Sequence, residues 1–236
     1  LYAKAIAGIE VLALPFTEVE GRAKLGQNRS DDQVRRALGF LWRRGDPGID
    51  VAIAAILEAR PELGAPDFLR GPEGVVLSPR PRADELDDAV ALLVDSYWNR
   101  DCSPTQIREA HAGSPVWVGA RDPDGRLIAS ARAISDGSKH AWIYDVVVAD
   151  THRGRGVGRA LLTLLLDHPL VRDATKVHLQ TRDAGAFYAP FGFTELGPAQ
   201  HPRWLRSKSS GADPRSASAG SPPRTSPAPT TACRRD

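Results

Sequence analysis

A β-branched run at residues 146–148 gives way to the basic, glycine-rich turn Ala149-Asp-Thr-His-Arg-Gly-Arg-Gly-Val-Gly158, which opens directly into a leucine-rich stretch ending at Leu166. Such a strand–turn–helix junction gathers bare backbone N–H groups at the positive end of a helix dipole, and that is a place for phosphate. Gly154, Gly156 and Gly158 let a ligand approach the backbone and permit positive φ. Arg153 and Arg155 add formal charge. Spacing separates the phosphate motifs. A P-loop ends in Gly-Lys-Ser/Thr, but Gly158 is followed by Arg159 and Ala160. A dinucleotide fingerprint counted from Gly154 would need its third glycine at Arg159. The pattern that fits is Arg-x-x-Gly-x-Gly, read as Arg153, Gly156 and Gly158.

Other groups able to do chemistry lie on either side. Asp145 interrupts an otherwise apolar strand, and a carboxylate there is costly without a partner. It can bind a substrate ammonium, act as a base directly or through water, or serve as a structural carboxylate bonded to nearby backbone. Tyr188 is protonated at neutral pH and suits the role of an acid. Tyr97 and Trp98 can line an acceptor pocket or pack in the core. Asp183 reads as a helix N-cap. The six histidines form no His-Glu-x-x-His or paired Cys/His pattern, so no metal is implied. There is no Gly-x-Ser-x-Gly elbow.

The elements that must position these groups follow from turn signals and periodicity. Gly74-Val-Val-Leu-Ser reads as a strand. Residues 83–97 carry Leu86, Ala89, Leu92 and Leu93 at helical spacing. Ser103-Pro104 starts a helix with Pro at its first position. Asp122-Pro-Asp-Gly125 joins two strands, and Asp136-Gly137 leads to a strand over 140–148. Lys176-Val-His-Leu-Gln-Thr-Arg is a further strand, followed by Asp183-Ala-Gly-Ala-Phe-Tyr-Ala-Pro-Phe-Gly-Phe193.

Taken together, the loop and the ending Tyr188, Gly192, Phe193 resemble the GCN5-related N-acetyltransferase (GNAT) superfamily over about residues 74–205. The ending is similar to that of small bacterial members through Thr181, Asp183, Ala184, Tyr188, Phe191, Gly192 and Phe193. This chain has Gly185 where those relatives often carry His. The resemblance implies an α/β fold (α+β by stricter accounting), with a GNAT-type mixed sheet flanked by helices. It implies that the amides of Arg155, Gly156, Val157 and Gly158 hold the pyrophosphate of acetyl-CoA. It also implies that strand 140–148 splays from strand 176–181, so that the main chain of Val146 and Val148 pairs with pantetheine amides. Tyr188 would protonate the leaving thiolate. The implied reaction moves acetyl from acetyl-CoA to a primary amine by direct attack.

Residues 1–60 carry a second resemblance. Tyr2-Ala-Lys-Ala-Ile-Ala-Gly-Ile-Glu10, Gly21 and Lys24-Leu-Gly-Gln-Asn-Arg-Ser30 are similar to the C-terminal end of the FMN-binding negative transcriptional regulator family, with Gly26 in place of the usual Ser. Most of that split barrel would lie upstream of Leu1, and a barrel closes only with all its strands, so no FMN site is expected. Within this piece, residues 4–14 are strand-like. Ser30 N-caps a helix over 31–43, and a second helix spans 49–59. Residues 61–73, rich in Pro and Gly, read as a linker, and from residue 206 the composition reads as a disordered tail. The alternative function is a fragment of a flavin-binding regulator with an accessory or sensor-like CoA-binding domain.

Length and composition bound the rest. The chain has 236 residues, 42% hydrophobic and 25% charged, with a formal net charge of +2. That charge argues against a dedicated nucleic-acid binder. The two cysteines, Cys102 and Cys233, suggest a reducing compartment, hence the cytoplasm. No stretch reaches the roughly 20 apolar residues of a membrane span. The lack of methionine, even at position 1, points to a fragment or to a misassigned start. The expected partner is the amine substrate, and a homodimer is open.

Overall fold

The computed structural model describes residue 26, residues 28–195 and the backbone of residues 203–207. The strand expected over 4–14 and the tail beyond residue 207 lie outside the described residues.

Seven strands among the described residues form one sheet. They are β1 (Val76–Ser78), β2 (Val116–Arg121), β3 (Leu127–Ser135), β4 (His140–Val148), β5 (Lys176–Gln180), β6 (Thr194–Glu195) and β7 (Arg203–Ser207), in the spatial order β1-β2-β3-β4-β5-β7-β6. All neighbours are antiparallel except β4 and β5. The mixed sheet agrees with the expected α/β architecture. The β2–β3 hairpin turns where the Asp-Pro-Asp-Gly signal places it. Asp122 N–H donates to the Arg126 carbonyl at 3.0 Å, and Gly125 takes φ +83°. β7 takes in Arg206 and Ser207, so regular structure runs two residues into the expected tail.

The parallel pair requires a crossover, and α5 (Val157–Asp167) with α6 (Pro169–Arg172) supplies it. Leu161, Leu162 and Leu165 of α5 are fully buried. The facing strands offer Ala129, Ala131, Ala133 and Ala141, side chains small enough for a helix to sit close. On the way from β1 to β2 the chain makes α3 (Leu86–Leu93) and α4 (Pro104–Ala112). α4 begins with Pro104 at its first position and a Ser103/Gln106 capping box. α3 stops four residues short of the expected end. The Ser96 hydroxyl donates to the Leu93 carbonyl at 2.7 Å, and this local bond competes with helix continuation. Tyr97 and Trp98 therefore sit on a separate 3₁₀ turn, Tyr97–Asn99.

The N-terminal helices are α1 (Asp31–Arg44) and α2 (Ile49–Ala59). Ser30 caps α1 with Gln33 completing the box, and Gly45 ends it in the left-handed region. These helices do not stand apart from the sheet. Val34, Leu38, Trp42, Ile49 and Ile53 belong to the same buried cluster as Leu77, Val118 and Leu161. Trp42 Nε1 donates to Asp167 Oδ2 at 2.5 Å, and Arg172 donates to the carbonyls of Trp42 and Arg43 at 3.0 and 2.7 Å. Residues 61–73, expected as a linker, instead form three short 3₁₀ turns that bury Leu63 and Leu69. Pro and Gly mark where the chain turns, and the two leucines decide that it turns against the core.

Candidate active site

Three local features make the site: a splay between β4 and β5, a bulge in β4, and the loop that follows it. β4 pairs with β5 only from His140 to Trp142, against Lys176 to His178, and then runs on to Val148 without it. The bulge lies within this unpaired run. Ser130 faces Val147 and Arg132 faces Tyr144, so Asp145 and Val146 together oppose Ala131. Asp145 carries φ +54°, a left-handed conformation that Asp tolerates better than most residues.

What holds that backbone is the carboxylate. Arg132 Nε donates to Asp145 Oδ2 at 2.6 Å, and Trp98 Nε1 donates to Oδ1 at 3.1 Å. The Asp145 side chain is only 8% exposed and its arginine partner 13%, so the pair is shielded from solvent screening. Arg132 is fixed in turn by Ser114 Oγ at 3.2 Å and lies 4.8 Å from the Tyr144 ring centroid. Each oxygen of Asp145 is thus engaged.

The 97–99 turn carries a second link. The Tyr97 hydroxyl accepts from the Arg182 backbone N–H at 3.2 Å, just past β5, and the Arg182 guanidinium stacks 3.8 Å from the Tyr97 ring centroid. Tyr97 and Trp98 meet edge to face at 4.9 Å. The two expected acceptor residues therefore bridge the splay, Trp98 toward β4 and Tyr97 toward the end of β5.

The loop begins with the 3₁₀ turn Asp150–His152, and α5 starts at Val157 with Gly156 as its N-cap at φ +84°. Among the described residues, no protein group accepts from the backbone N–H groups of residues 154–159. Arg153 turns back instead, with Nε donating to the Val148 carbonyl at 3.1 Å and a second nitrogen 2.8 Å from Asp150. That carbonyl, expected to face pantetheine, is occupied. Arg155 pairs with Glu73, its Nε 2.6 Å from Oε2. Gly158 faces inward: an added Cβ would lie 3.3 Å from Val148 Cγ2 and 3.5 Å from Phe187 Cζ.

Phe187 is the link to Tyr188. Both lie on α7 (Gly185–Tyr188), which follows a turn in which Thr181 Oγ1 accepts from the Ala184 N–H at 3.1 Å. No side chain caps α7, and Asp183, expected as its N-cap, instead contacts Arg182 at 3.4 Å. The Tyr188 ring packs edge-on against Phe187 and Phe193 at 4.9 and 5.9 Å. Burial pushes its phenol well above the usual tyrosine range, and the Tyr97 phenol adds to the effect. The hydroxyl thus stays protonated.

Arg132, Glu73 and Arg182 escaped the sequence reading. Only Arg132 left a signal: it is the one charge in β3, and Asp145 is the one carboxylate in the adjacent β4.

Residues 83–193 match the model of the acetyltransferase (GNAT) family. The chloroplastic GCN5-related N-acetyltransferase 1 of Arabidopsis thaliana is 30% identical over 112 residues, 47% of this chain and 55% of that protein. A histone acetyltransferase of Glycine max is 33% identical over 109 residues, 46% of this chain and 44% of that protein. A solved GNAT-family structure from Xanthomonas campestris pv. campestris is 33% identical, covering 55% of this chain and 89% of that one, with a TM-score of 0.47. Residues 83–193 form a domain of the acetyltransferase (GNAT) family. The chain spans about half the length of the curated relatives it matches. The family match lies within residues 83–193 and does not extend to residues 1–60. Among the described residues, no helix is long and apolar enough to cross a membrane.

Proposed function

We propose that this chain is an N-acetyltransferase that moves the acetyl group of acetyl-CoA to a primary amine by direct attack. The observation that carries this reading is the run of unpartnered amides over residues 154–159, at the start of α5 and next to an open splay. Those amides suit a pyrophosphate, and the unpaired β4 backbone at Val146 suits an amide-bearing chain. Acetyl-CoA supplies the thioester when bound.

The remaining chemistry is proton movement. A lysine-type amine, with a pKa of about 10.4, must lose a proton before its nitrogen attacks the thioester carbonyl. As the C–S bond breaks, the sulfur takes a proton from the Tyr188 hydroxyl, the donor we assign, and the proton that the attacking nitrogen sheds on becoming an amide restores the phenol through solvent. We give Asp145 a positioning role: with its oxygens on Arg132 and Trp98, it fixes the β4 bulge and orients the Trp98 edge of the acceptor side. Tyr97 and Trp98 bound that side. The test is direct. The purified chain should bind acetyl-CoA by calorimetry and release free thiol with at least one member of an amine panel. Absence of acetyl-CoA binding would remove the reading.

A further inference from the structure

A second cleft lies away from the splay, between α1 and the turn 66–70, with a volume of about 770 Å³. This is within the range of small-molecule sites. Four arginines line it, Arg35, Arg36, Arg43 and Arg70, against two carboxylates, Asp32 and Asp67. Arg35 is committed to the Leu63 carbonyl at 2.7 Å and to Asp32. Arg70 is committed to the Ala65 carbonyl and to Asp67, each at 3.0 Å. Both carboxylates are therefore taken. Arg36 is close enough to Asp32 to help hold its carboxyl below the usual range. Among the described residues, however, the guanidinium groups of Arg36 and Arg43 make no hydrogen bond or ion pair.

Gly39 stands between them. Residues 36, 39 and 43 fall on one stripe of α1, and helical side chains lean toward the N-terminus. In the structure the Arg43 guanidinium leans over Gly39, 3.8 Å from where a Cβ would be. Nothing else comes within 4 Å of that position, and no positive φ is needed there. A glycine inside a helix is destabilising relative to alanine, and neither backbone conformation nor protein packing accounts for this one. It leaves the helix surface beneath the Arg43 guanidinium open. Pro66 and Phe68 close the opposite wall, and Phe68 is held in place by stacking on buried Trp42 at 5.3 Å.

We infer that this cleft binds a small organic phosphate, with the phosphoryl group between Arg36 and Arg43 over Gly39 and the apolar body against Pro66 and Phe68. The guanidinium fork matches phosphate oxygens. The site is built by the N-terminal helices and is separate from the loop that follows β4.

The test titrates the full chain with phenyl phosphate by calorimetry, beside the double variant Arg36→Gln, Arg43→Gln and the single variant Gly39→Leu. All three positions lie at the cleft surface, and matching thermal melts check the fold. Both variants should weaken the site by about tenfold or more, the first by removing charge-assisted hydrogen bonds and the second by filling the space. Inorganic phosphate should compete, but about tenfold more weakly. Equal affinity in native and double-variant protein, or no saturable site in the native chain, overturns the proposal. Equal binding of inorganic phosphate overturns its organic part. Tight binding of a single-stranded oligonucleotide without a phenyl phosphate site assigns the cleft to a nucleic-acid backbone instead, which also overturns it.

Discussion

Glu73 grips Arg155 across 82 positions of sequence, its Oε2 accepting from Arg155 Nε at 2.6 Å. Glu73 does so from a left-handed backbone at φ +52°, in the turn between Gly71 and Val75. Beside it, Pro72 lies 3.7 Å from where a Cβ on Gly156 would be. The segment leading into β1 therefore sits against the glycine-rich loop, and its carboxylate neutralises a charge expected to face phosphate.

Removing that carboxylate should free Arg155. For Glu73→Gln we expect acetyl-CoA affinity to rise by a few fold, about what one exposed ion pair is worth. The affinity should also depend more steeply on salt, because an extra cation then faces the phosphates. Calorimetry at two ionic strengths checks this, and a fall in affinity would mean that Glu73 positions Arg155 rather than competing for it.

Two of the three loop glycines, Gly156 and Gly158, separate by cause. Gly156 needs its left-handed φ of +84°, and its surroundings are open except for Pro72. Gly156→Ala should cost about 1–2 kcal/mol in the loop conformation and weaken acetyl-CoA binding, with little effect on the core. Gly158 is different, since its Cβ would press on Val148 and Phe187. Gly158→Val should lower the melting temperature as well as affinity. Paired melting and binding measurements distinguish the two, and an unchanged melt for Gly158→Val would contradict the packing account.

The N-terminal helices should matter for stability. Trp42 is 1% exposed and bonded to Asp167. Trp42→Ala should cost about 3–5 kcal/mol, the range for a buried aromatic. A chain beginning at Gly71 loses Leu38, Trp42, Ile53 and Leu69 from the shared core. It should lose cooperative melting. An unchanged urea midpoint in either case would show that the hairpin is only an appendage.

Much of this was legible because it is local. Ser30, Ser103-Pro104 and Asp122-Pro-Asp-Gly125 each hold their own cap or turn, so neighbouring residues suffice to find them. The glycine-rich loop and the Tyr188 ending are also contiguous. The hidden parts depend on distant partners. Nothing near Glu73 announces Arg155, and nothing near residues 61–73 says that Leu63 and Leu69 are buried. Asp145 stood out as a charge in a strand, but its partner Arg132 becomes visible only once β3 and β4 are placed in register.

His111 gives the fold an expected pH dependence. It is fully buried, with Nδ1 2.9 Å from the Ile107 carbonyl and, among the described residues, no partner at Nε2. Burial holds its pKa below the usual histidine value. Above about pH 6.5 both folded and unfolded states are neutral there, so nothing is lost. As pH falls below that value the unfolded chain takes up a proton that the folded chain resists. Stability should then drop by up to about 1.4 kcal/mol per pH unit. His111→Leu should flatten this part of the profile between pH 7 and 5 in urea titrations. An identical slope in variant and native protein would assign the dependence to other groups.

Tyr188 offers the sharpest test of mechanism. Its ring is 7% exposed and packed against Phe187 and Phe193, so Tyr188→Phe keeps the packing and removes only the hydroxyl. Among the described residues that hydroxyl has no hydrogen-bond partner, so its loss leaves no protein group unsatisfied. Stability should therefore change by less than about 0.5 kcal/mol. If the phenol protonates the leaving thiolate, turnover should fall by about 10² or more. Acetyl-CoA affinity should hold, because the missing bond forms only as charge develops on sulfur. The raised pKa adds a further expectation: Tyr188 itself should contribute no loss of rate as the solution is taken from pH 7 to 10, since burial keeps the phenol protonated throughout. Steady-state turnover, acetyl-CoA affinity and a pH profile on the same variant decide it. Full activity in Tyr188→Phe would take the tyrosine out of the mechanism and leave the proton to water, with the binding loop unaffected.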